Sequence, residues 1–98
     1  MLRNIKWSEK AKNNLEKVID YLEAEWNEEV IEDFLSKTDL CVNLLLKQPF
    51  IGRESEKRIG VRKVLITKHN LLIYRVSKGT IYILDIFDTR QNPNKSKY

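Results

Sequence analysis

The sequence has little of what a secreted, metal-binding or membrane-spanning protein needs. A single cysteine, Cys41, and a single histidine, His69, occur among 98 residues. One cysteine excludes an internal disulfide, and the pair argues against a structural zinc site built on several such ligands. No apolar run approaches the roughly 20 residues of a membrane span, and the start Met1–Asn4 does not open a signal peptide. We therefore expect a cytoplasmic protein without a metal, a cofactor or a membrane contact.

The composition is that of one globular domain covering residues 1–98. Hydrophobic residues make up 42% and charged residues 33% of the chain, which is typical of a soluble folded protein and not of a disordered or fibrous one. A chain of this length is long enough for one core of modest size and too short for two.

The net charge of +4 is unevenly distributed along the chain. Residues 1–46 contain six Lys and Arg against ten Asp and Glu, a net charge of −4. Residues 47–98 contain 12 Lys and Arg against four Asp and Glu, a net charge of +8. A basic half beside an acidic half favours an anionic partner such as nucleic acid or an acidic peptide. The alternative is a surface whose charges serve only solubility.

Hydrophobic periodicity predicts a short strand followed by two helices. Residues 4–7 alternate as in a strand. Apolar residues then recur at helical spacing over 8–26, with Ser8 as the N-cap, and over 27–47, with Asn27 as the N-cap. Because no loop separates the two helices, they must fold back on each other as a hairpin.

The rest of the chain changes to the pattern of β-strands. Residues 59–67, 71–77 and 80–88 are rich in β-branched and aromatic side chains and are separated by short turns, which predicts successive antiparallel hairpins. Residues 92–98 are predicted to be a loose tail. The expected fold class is α+β, in the order β-α-α-β-β-β, with the helical hairpin packed on an antiparallel sheet.

Five short motifs follow one another along almost the whole chain: Trp7-Ser8-Glu9-Lys10-Ala11, Pro49-Phe50-Ile51-Gly52-Arg53, Gly60-Val61-Arg62-Lys63, Ile73-Tyr74-Arg75-Val76 and Phe87-Asp88-Thr89-Arg90-Gln91-Asn92-Pro93. Together they resemble the RelE/ParE superfamily of toxins from type II toxin–antitoxin systems, also known as plasmid-stabilisation proteins. The resemblance implies a growth-inhibiting bacterial toxin that a small antitoxin, encoded beside it, neutralises. It also implies that DNA is contacted only by the toxin–antitoxin complex, through the antitoxin.

The superfamily has two branches with different targets. The ParE-like branch binds DNA gyrase and traps it on cleaved DNA, which requires an interface and no catalysis. The RelE-like branch is a ribosome-dependent mRNA endoribonuclease, or mRNA interferase, that uses basic side chains and often a tyrosine in place of a metal. Attack by a 2′-OH needs a proton acceptor, a proton donor and cations that stabilise the charged transition state. Whether this chain is an enzyme therefore depends on its branch.

The resemblance singles out basic residues as candidates for target binding: Arg62, Lys63, Arg75 and Arg90. If the chain is a nuclease, the three arginines become catalytic candidates, and the terminal Tyr98 could supply the phenol. Each candidate also has a purely structural explanation. Arg90 could pair with a nearby aspartate, Arg75 could pair with Asp85 on the next strand, and the cations on 59–67 could protect a sheet edge.

Two departures from the nuclease pattern favour the ParE-like branch. An arginine commonly lies three residues before the tyrosine of the middle strand in the RelE-like branch, and here that position is Leu71. Other nuclease members end in a His-Tyr pair, which is absent here. A toxin-derived protein without toxicity is a third possibility.

The last predicted strand is apolar on both faces for most of its length. The helices can cover only one face, so Tyr82, Leu84 and Ile86 are expected to remain available on the other. We expect an acidic-hydrophobic antitoxin segment, disordered when alone, to fold across these residues and along the helical hairpin.

Overall fold

Two helices pack on one face of a five-stranded sheet in the computed structural model, which describes residues 4–90. The elements, in chain order, are β1 Asn4–Trp7, α1 Glu9–Glu25, α2 Glu28–Lys47, β2 Arg53–Glu54, β3 Arg62–Thr67, β4 Asn70–Ser77 and β5 Thr80–Asp88. The α+β fold class and the predicted order of the elements are confirmed. Neither helix of this part of the chain is long and apolar enough to cross a membrane.

The strand order across the sheet is β1-β5-β4-β3-β2. The strands β3, β4 and β5 form the two predicted antiparallel hairpins. The strand β1 lies at one edge and runs parallel to β5, with Ile5 opposite Ile81. At the other edge, the two residues of β2 pair with the start of β3, and no sequence pattern had predicted this short strand.

One predicted boundary needs correction. The predicted strand 59–67 starts only at Arg62, because the three residues before it form a turn. Gly60 has a φ of +79°, and the N–H of Val61 donates to the carbonyl of Arg58 at 3.3 Å. Ile59 at the tip of this turn is 98% exposed. The predicted tail 92–98 lies outside the described residues.

The main core lies between the helices and the sheet. Its fully buried side chains come from both helices and from the two central strands β4 and β5, among them Val18, Leu22, Phe34, Leu45, Leu72, Tyr74, Ile81, Ile83 and Ile86. Cys41 is also buried there, and its burial raises the pKa of the thiol, as expected for a structural cysteine. A smaller cluster around Val61 and Ile73 lies on the opposite face of the sheet.

A β-bulge interrupts the pairing between β4 and β5. Ile73 lies opposite Asp85, but the next residue, Tyr74, lies opposite Ile83, so Leu84 has no partner across the ladder. An extra residue of this kind shifts the alternation of side chains by one position on the bulged strand. Odd-numbered residues of β5 therefore face the helices before the bulge, and even-numbered residues face them after it.

The bulge corrects the predicted antitoxin surface. Ile81 and Ile83 face the helices before the bulge, and Ile86 faces them after it, where it is fully buried in the main core. The prediction that Ile86 shares an available face with Tyr82 and Leu84 was therefore wrong. Tyr82 and Leu84 are half-buried and lie on the face that the helices leave uncovered.

Ser8 connects the start of α1 to β5. Its Oγ accepts the N–H of Ala11 at 3.0 Å and donates to the carbonyl of Leu84 at 3.1 Å. Replacing Ser8 with alanine is expected to lower the free energy of unfolding by about 1–2 kcal/mol, because both bonds are lost. Urea denaturation measures this change. Ser36→Ala, on the exposed side of α2, is the control, and an equal effect of the two substitutions would contradict the prediction.

Candidate functional site

The three candidate arginines do not converge on one site. Arg62 lies opposite Tyr74 in the β3–β4 ladder and shares its face of the sheet, whereas Arg75, one residue further, points to the other face. Arg90 follows the end of β5, beside the β3–β4 turn at the far end of the sheet. No single phosphate could contact all three side chains in this arrangement.

Arg62 is engaged in contacts within the chain. Its Nη1 donates to the carbonyls of Phe50 and Gly52 at 3.1 and 2.7 Å, and its Nη2 contacts Oε1 of Glu54 at 3.1 Å. The guanidinium also lies 5.1 Å from the centre of the Phe50 ring. Arg62 therefore holds the loop before β2 against β3. These contacts use most of the hydrogen-bond donors of its guanidinium.

The same loop depends on a close approach between Gly52 and Tyr74. The Gly52 N–H donates to the Tyr74 hydroxyl at 2.8 Å, and the tyrosine is fully buried. Burial raises the pKa of Tyr74, and the bond from Gly52 only partly opposes this rise. The phenol thus stays protonated, and it cannot reach a substrate. Tyr98, the phenol that the sequence offered for catalysis, lies outside the described residues.

Arg90 pairs with a nearby aspartate, Asp88, as the purely structural explanation of this arginine predicted. The Nε and Nη2 of Arg90 contact the two carboxylate oxygens of Asp88 at 3.0 and 2.7 Å, and the backbone N–H of Arg90 adds a bond of 2.8 Å. Asn70 donates to the same carboxylate at 3.0 Å. Burial alone raises the pKa of Asp88, but these hydrogen bonds outweigh it and hold the pKa below its usual value. The Arg90 guanidinium also lies 5.0 Å from the ring centre of Trp26.

Arg75 does not form the salt bridge with Asp85 that the sequence left open. Asp85 lies opposite Ile73, and its carboxylate contacts Nδ2 of Asn14 at 2.6 Å and Nζ of Lys10 at 3.3 Å on α1. Arg75 is exposed on the uncovered face and makes no ion pair with any side chain of residues 4–90. It is therefore available to a partner.

A row of three side chains crosses the uncovered face of the sheet. Lys6 on β1 and Arg75 on β4 both lie opposite Tyr82 on β5, so two cations flank one phenol on neighbouring strands. Lys63 shares this face, because it lies opposite Ile73, two residues from Arg75. We call Lys6, Lys63, Arg75 and Tyr82 the cationic face. Lys6 was not among the residues that the sequence singled out.

A cavity of about 370 Å³ lies at the opposite side of the molecule, between the helices and the β3–β4 turn. His69 lies in this turn as predicted, and the cavity is lined by Leu22, Val30, Asp33, Phe34, Lys37, Thr67, Lys68, His69, Asn70 and Arg90. Among residues 4–90, no group of three or more His, Cys, Asp and Glu side chains could hold a metal ion.

The fold is shared with solved structures of toxins. The chain superposes with a TM-score of 0.74 on the chromosomal ParDE toxin–antitoxin system from P. aeruginosa, at 24% identity over 89% of this chain and 96% of that one. The YoeB/ParE toxin from Agrobacterium tumefaciens gives 0.65 at 13% identity, over 87% and 96%. The E. coli DinJ-YafQ toxin–antitoxin complex gives 0.63 at 11% identity, over 94% and 98%. The chain therefore has the fold of the RelE/ParE superfamily.

The sequence also identifies the family to which the chain belongs. The family model described as the ParE toxin of the type II toxin-antitoxin system parDE matches residues 5–93. The chain belongs to the ParE toxin family, and the resemblance drawn from the five motifs is confirmed. It is thus the toxin of a type II toxin–antitoxin system, with a cognate antitoxin as its partner. No curated protein matches the chain.

Proposed function

We propose that this toxin acts in the cytoplasm and inhibits growth by binding DNA gyrase, without catalysing a reaction. The observation that carries the proposal is the separation of Arg62, Arg75 and Arg90. A nuclease must bring cations, a proton acceptor and a proton donor to one phosphate. Here Arg62 and Arg90 are engaged within the chain, and the middle-strand phenol of Tyr74 is buried. A binding toxin needs none of this convergence.

The cationic face is the surface that best suits the target. Arg75 on β4 is exposed, Lys63 carries the same charge on the adjacent strand β3, and Lys6 does so on β1, on the far side of β5. Such a field favours acidic surfaces or the DNA held by a gyrase complex. Arg62 and Arg90, which the sequence also assigned to target binding, would support this surface by holding a loop and a strand end in place.

Reversing the charge of Arg75 tests the proposal. Arg75→Glu is expected to raise the toxin concentration needed for half-inhibition of supercoiling by purified gyrase at least about tenfold, because an anionic target is then repelled. Lys17→Glu changes the charge equally on an exposed position of α1 and serves as the matched control. Equal potency of the two variants would remove Arg75 from the target surface.

A ribosome-dependent endoribonuclease is the second candidate, and one arrangement favours it. Tyr82, with Lys6 and Arg75 on either side, could offer a phenol and two cations to a single phosphate. Primer extension on an mRNA in a cell-free translation reaction separates the two functions. Discrete cuts that disappear in Tyr82→Phe would establish the nuclease, whereas intact message together with gyrase inhibition is expected here. A chain inactive in both assays would be a toxin that has lost its activity.

A further inference from the structure

The cavity between the helices and the β3–β4 turn, which we call the turn cavity, is apolar on its helical side. Val30 is half-buried there, and the fully buried side chains of Leu22 and Phe34 close the base. Its volume of about 370 Å³ falls within the range of about 300–1,000 Å³ that is typical of small-molecule sites. The turn cavity therefore has room for a small organic molecule and not only for an inorganic ion.

The opposite wall of the turn cavity carries hydrogen-bond donors that the chain does not use. Lys68 and His69 occupy consecutive positions of the turn, and neither side chain has a hydrogen bond or ion pair within residues 4–90. Arg90 lines the cavity from the end of β5. Its Nε and Nη2 contact Asp88, whereas its Nη1 makes no hydrogen bond in the same part of the chain. An ammonium, an imidazole and one guanidinium nitrogen are thus available to a ligand.

The balance of charge around the turn cavity favours an anion. Asp33 is the one acidic residue among the described residues that line it, and Lys37 pairs with this carboxylate at 3.1 Å. Asp88 balances Arg90 in the same way. The charge of Lys68 remains, so the wall has an excess of positive charge beside the free donors of His69 and Arg90.

Hydrogen bonds behind the basic wall hold it in place. The Oγ1 of Thr67 accepts the backbone N–H groups of His69 and Asn70, each at 3.1 Å, which fixes the turn. The carbonyl of His69 accepts the backbone N–H of Thr89 at 2.7 Å and its hydroxyl at 3.1 Å. These bonds keep the turn against the residue that precedes Arg90. Because the backbone around the donors is already ordered, little conformational freedom is lost when a ligand binds.

We propose that the turn cavity binds a small phosphate monoester. The phosphate contacts Lys68, His69 and Nη1 of Arg90, and the organic part of the ester packs against Val30. A phosphate group offers several acceptor oxygens, so it can take donors from the turn and from the end of β5 at once. The cavity lies on the helical side of the sheet and the cationic face on the other side. The proposal therefore does not depend on the target of the toxin.

The first test compares probes by titration calorimetry on the purified toxin. Adenosine 5′-monophosphate and glucose 6-phosphate carry the same phosphate on a nucleoside and on a sugar, so the tighter of the two identifies the class of the organic part. That monoester is expected to bind at least about tenfold more tightly than inorganic phosphate or than its own unphosphorylated form, because each of these lacks one part of the contacts. If neither monoester binds more tightly than inorganic phosphate, the proposal is overturned.

The second test places the binding in the turn cavity. Lys68→Ala is expected to weaken binding of the tighter monoester at least about tenfold, because the uncompensated cation is lost. Lys17→Ala removes the same charge from an exposed position of α1 and is the matched control. Lys68 is itself exposed, so both variants should keep the thermal stability of the parent chain. Equal affinity of the two variants overturns the proposal.

Nuclear magnetic resonance provides a third test that needs no substitution. His69 is the only histidine of the chain, so its ring signals can be identified without ambiguity. These signals are expected to shift as the tighter monoester is added and to stop shifting at saturation, since the imidazole contacts the phosphate. Ring signals that do not move while calorimetry reports binding would overturn the proposal, because the ligand would then bind elsewhere. The gyrase assay is independent of these results.

Discussion

Replacing Arg90 with alanine is expected to lower the free energy of unfolding by about 3–5 kcal/mol at neutral pH. The reason is Asp88, which is fully buried and takes three of its hydrogen bonds from the backbone and side chain of Arg90. The alanine variant keeps the backbone bond and the bond from Asn70 but leaves a buried carboxylate without its cation. Urea denaturation of the variant and of the parent chain measures the loss.

The pH dependence of this loss has a definite sign. In the parent chain the pKa of Asp88 lies below its usual value, so the carboxylate stabilises the fold above the unfolded pKa of about 3.9. That contribution disappears as the pH falls through the folded pKa. Without Arg90, burial dominates and raises the pKa of Asp88, so the variant loses stability as the pH rises above about 4. The difference between the two chains should therefore be largest at neutral pH and shrink toward about pH 4.

A double variant separates the buried charge from other effects of the substitution. Asp88→Asn removes the charge that Arg90 neutralises, so the pair Asp88→Asn with Arg90→Ala is expected to be more stable than Arg90→Ala alone. Arg75→Ala, at an exposed arginine without such a partner, is the control and should change stability by less than about 0.5 kcal/mol. If Arg90→Ala behaved like this control, the structural role of Arg90 would be refuted. Lost toxicity in Arg90→Ala would otherwise report unfolding and not lost target contact.

Adding a single methyl group at Gly52 is expected to cost about 3 kcal/mol of stability. A Cβ built at this position would lie 2.5 Å from the hydroxyl oxygen of Tyr74 and 2.7 Å from its Cε1. Tyr74 is fully buried in the main core, so moving it would disturb the side chains packed around it. Gly52→Ala would therefore push the loop away from the sheet and break the hydrogen bond between the two residues. Thermal or urea denaturation of the purified variant measures the effect.

Removing the hydroxyl of Tyr74 provides the control for this steric effect. In a Tyr74→Phe background the atom nearest to the new methyl group is gone, so Gly52→Ala should cost less than it does in the parent chain. The remaining contact with Cε1 means that the rescue is partial. Equal costs in both backgrounds would show that the hydroxyl is not the source of the clash.

Local patterns of the sequence predicted the secondary structure well, since they depend on near neighbours. Ser8 and Asn27 accept the N–H groups of Ala11 and Val30, three residues further on, as N-caps should. The positions of the two helices follow directly from such contacts and from the apolar periodicity. The bulge at Leu84 could not be predicted in this way, because the alternation on β5 is broken only by the register of its neighbour β4.

The candidate site was harder to predict than the fold. The basic residues were found individually, but their surroundings depend on distant parts of the chain. The loop that engages Arg62 lies 8–12 residues before it, and Lys6 joins the cationic face only because β1 pairs with β5. The Asp88–Arg90 pair, two residues apart, was the one arrangement that sequence spacing could suggest.

The position of β5 has a consequence for the synthesis of this toxin. Both neighbours of this strand depend on it, because β4 and β1 lie on either side of it. β1 is made first, yet its only partner strand in the described sheet follows roughly 76 residues later, as the contact of Ser8 with Leu84 illustrates. Contacts over such separations form late in folding. A polypeptide released before β5 is complete would lack the strand that joins β1 to the rest of the sheet, so premature termination is expected to give unfolded chains and not a shortened active toxin.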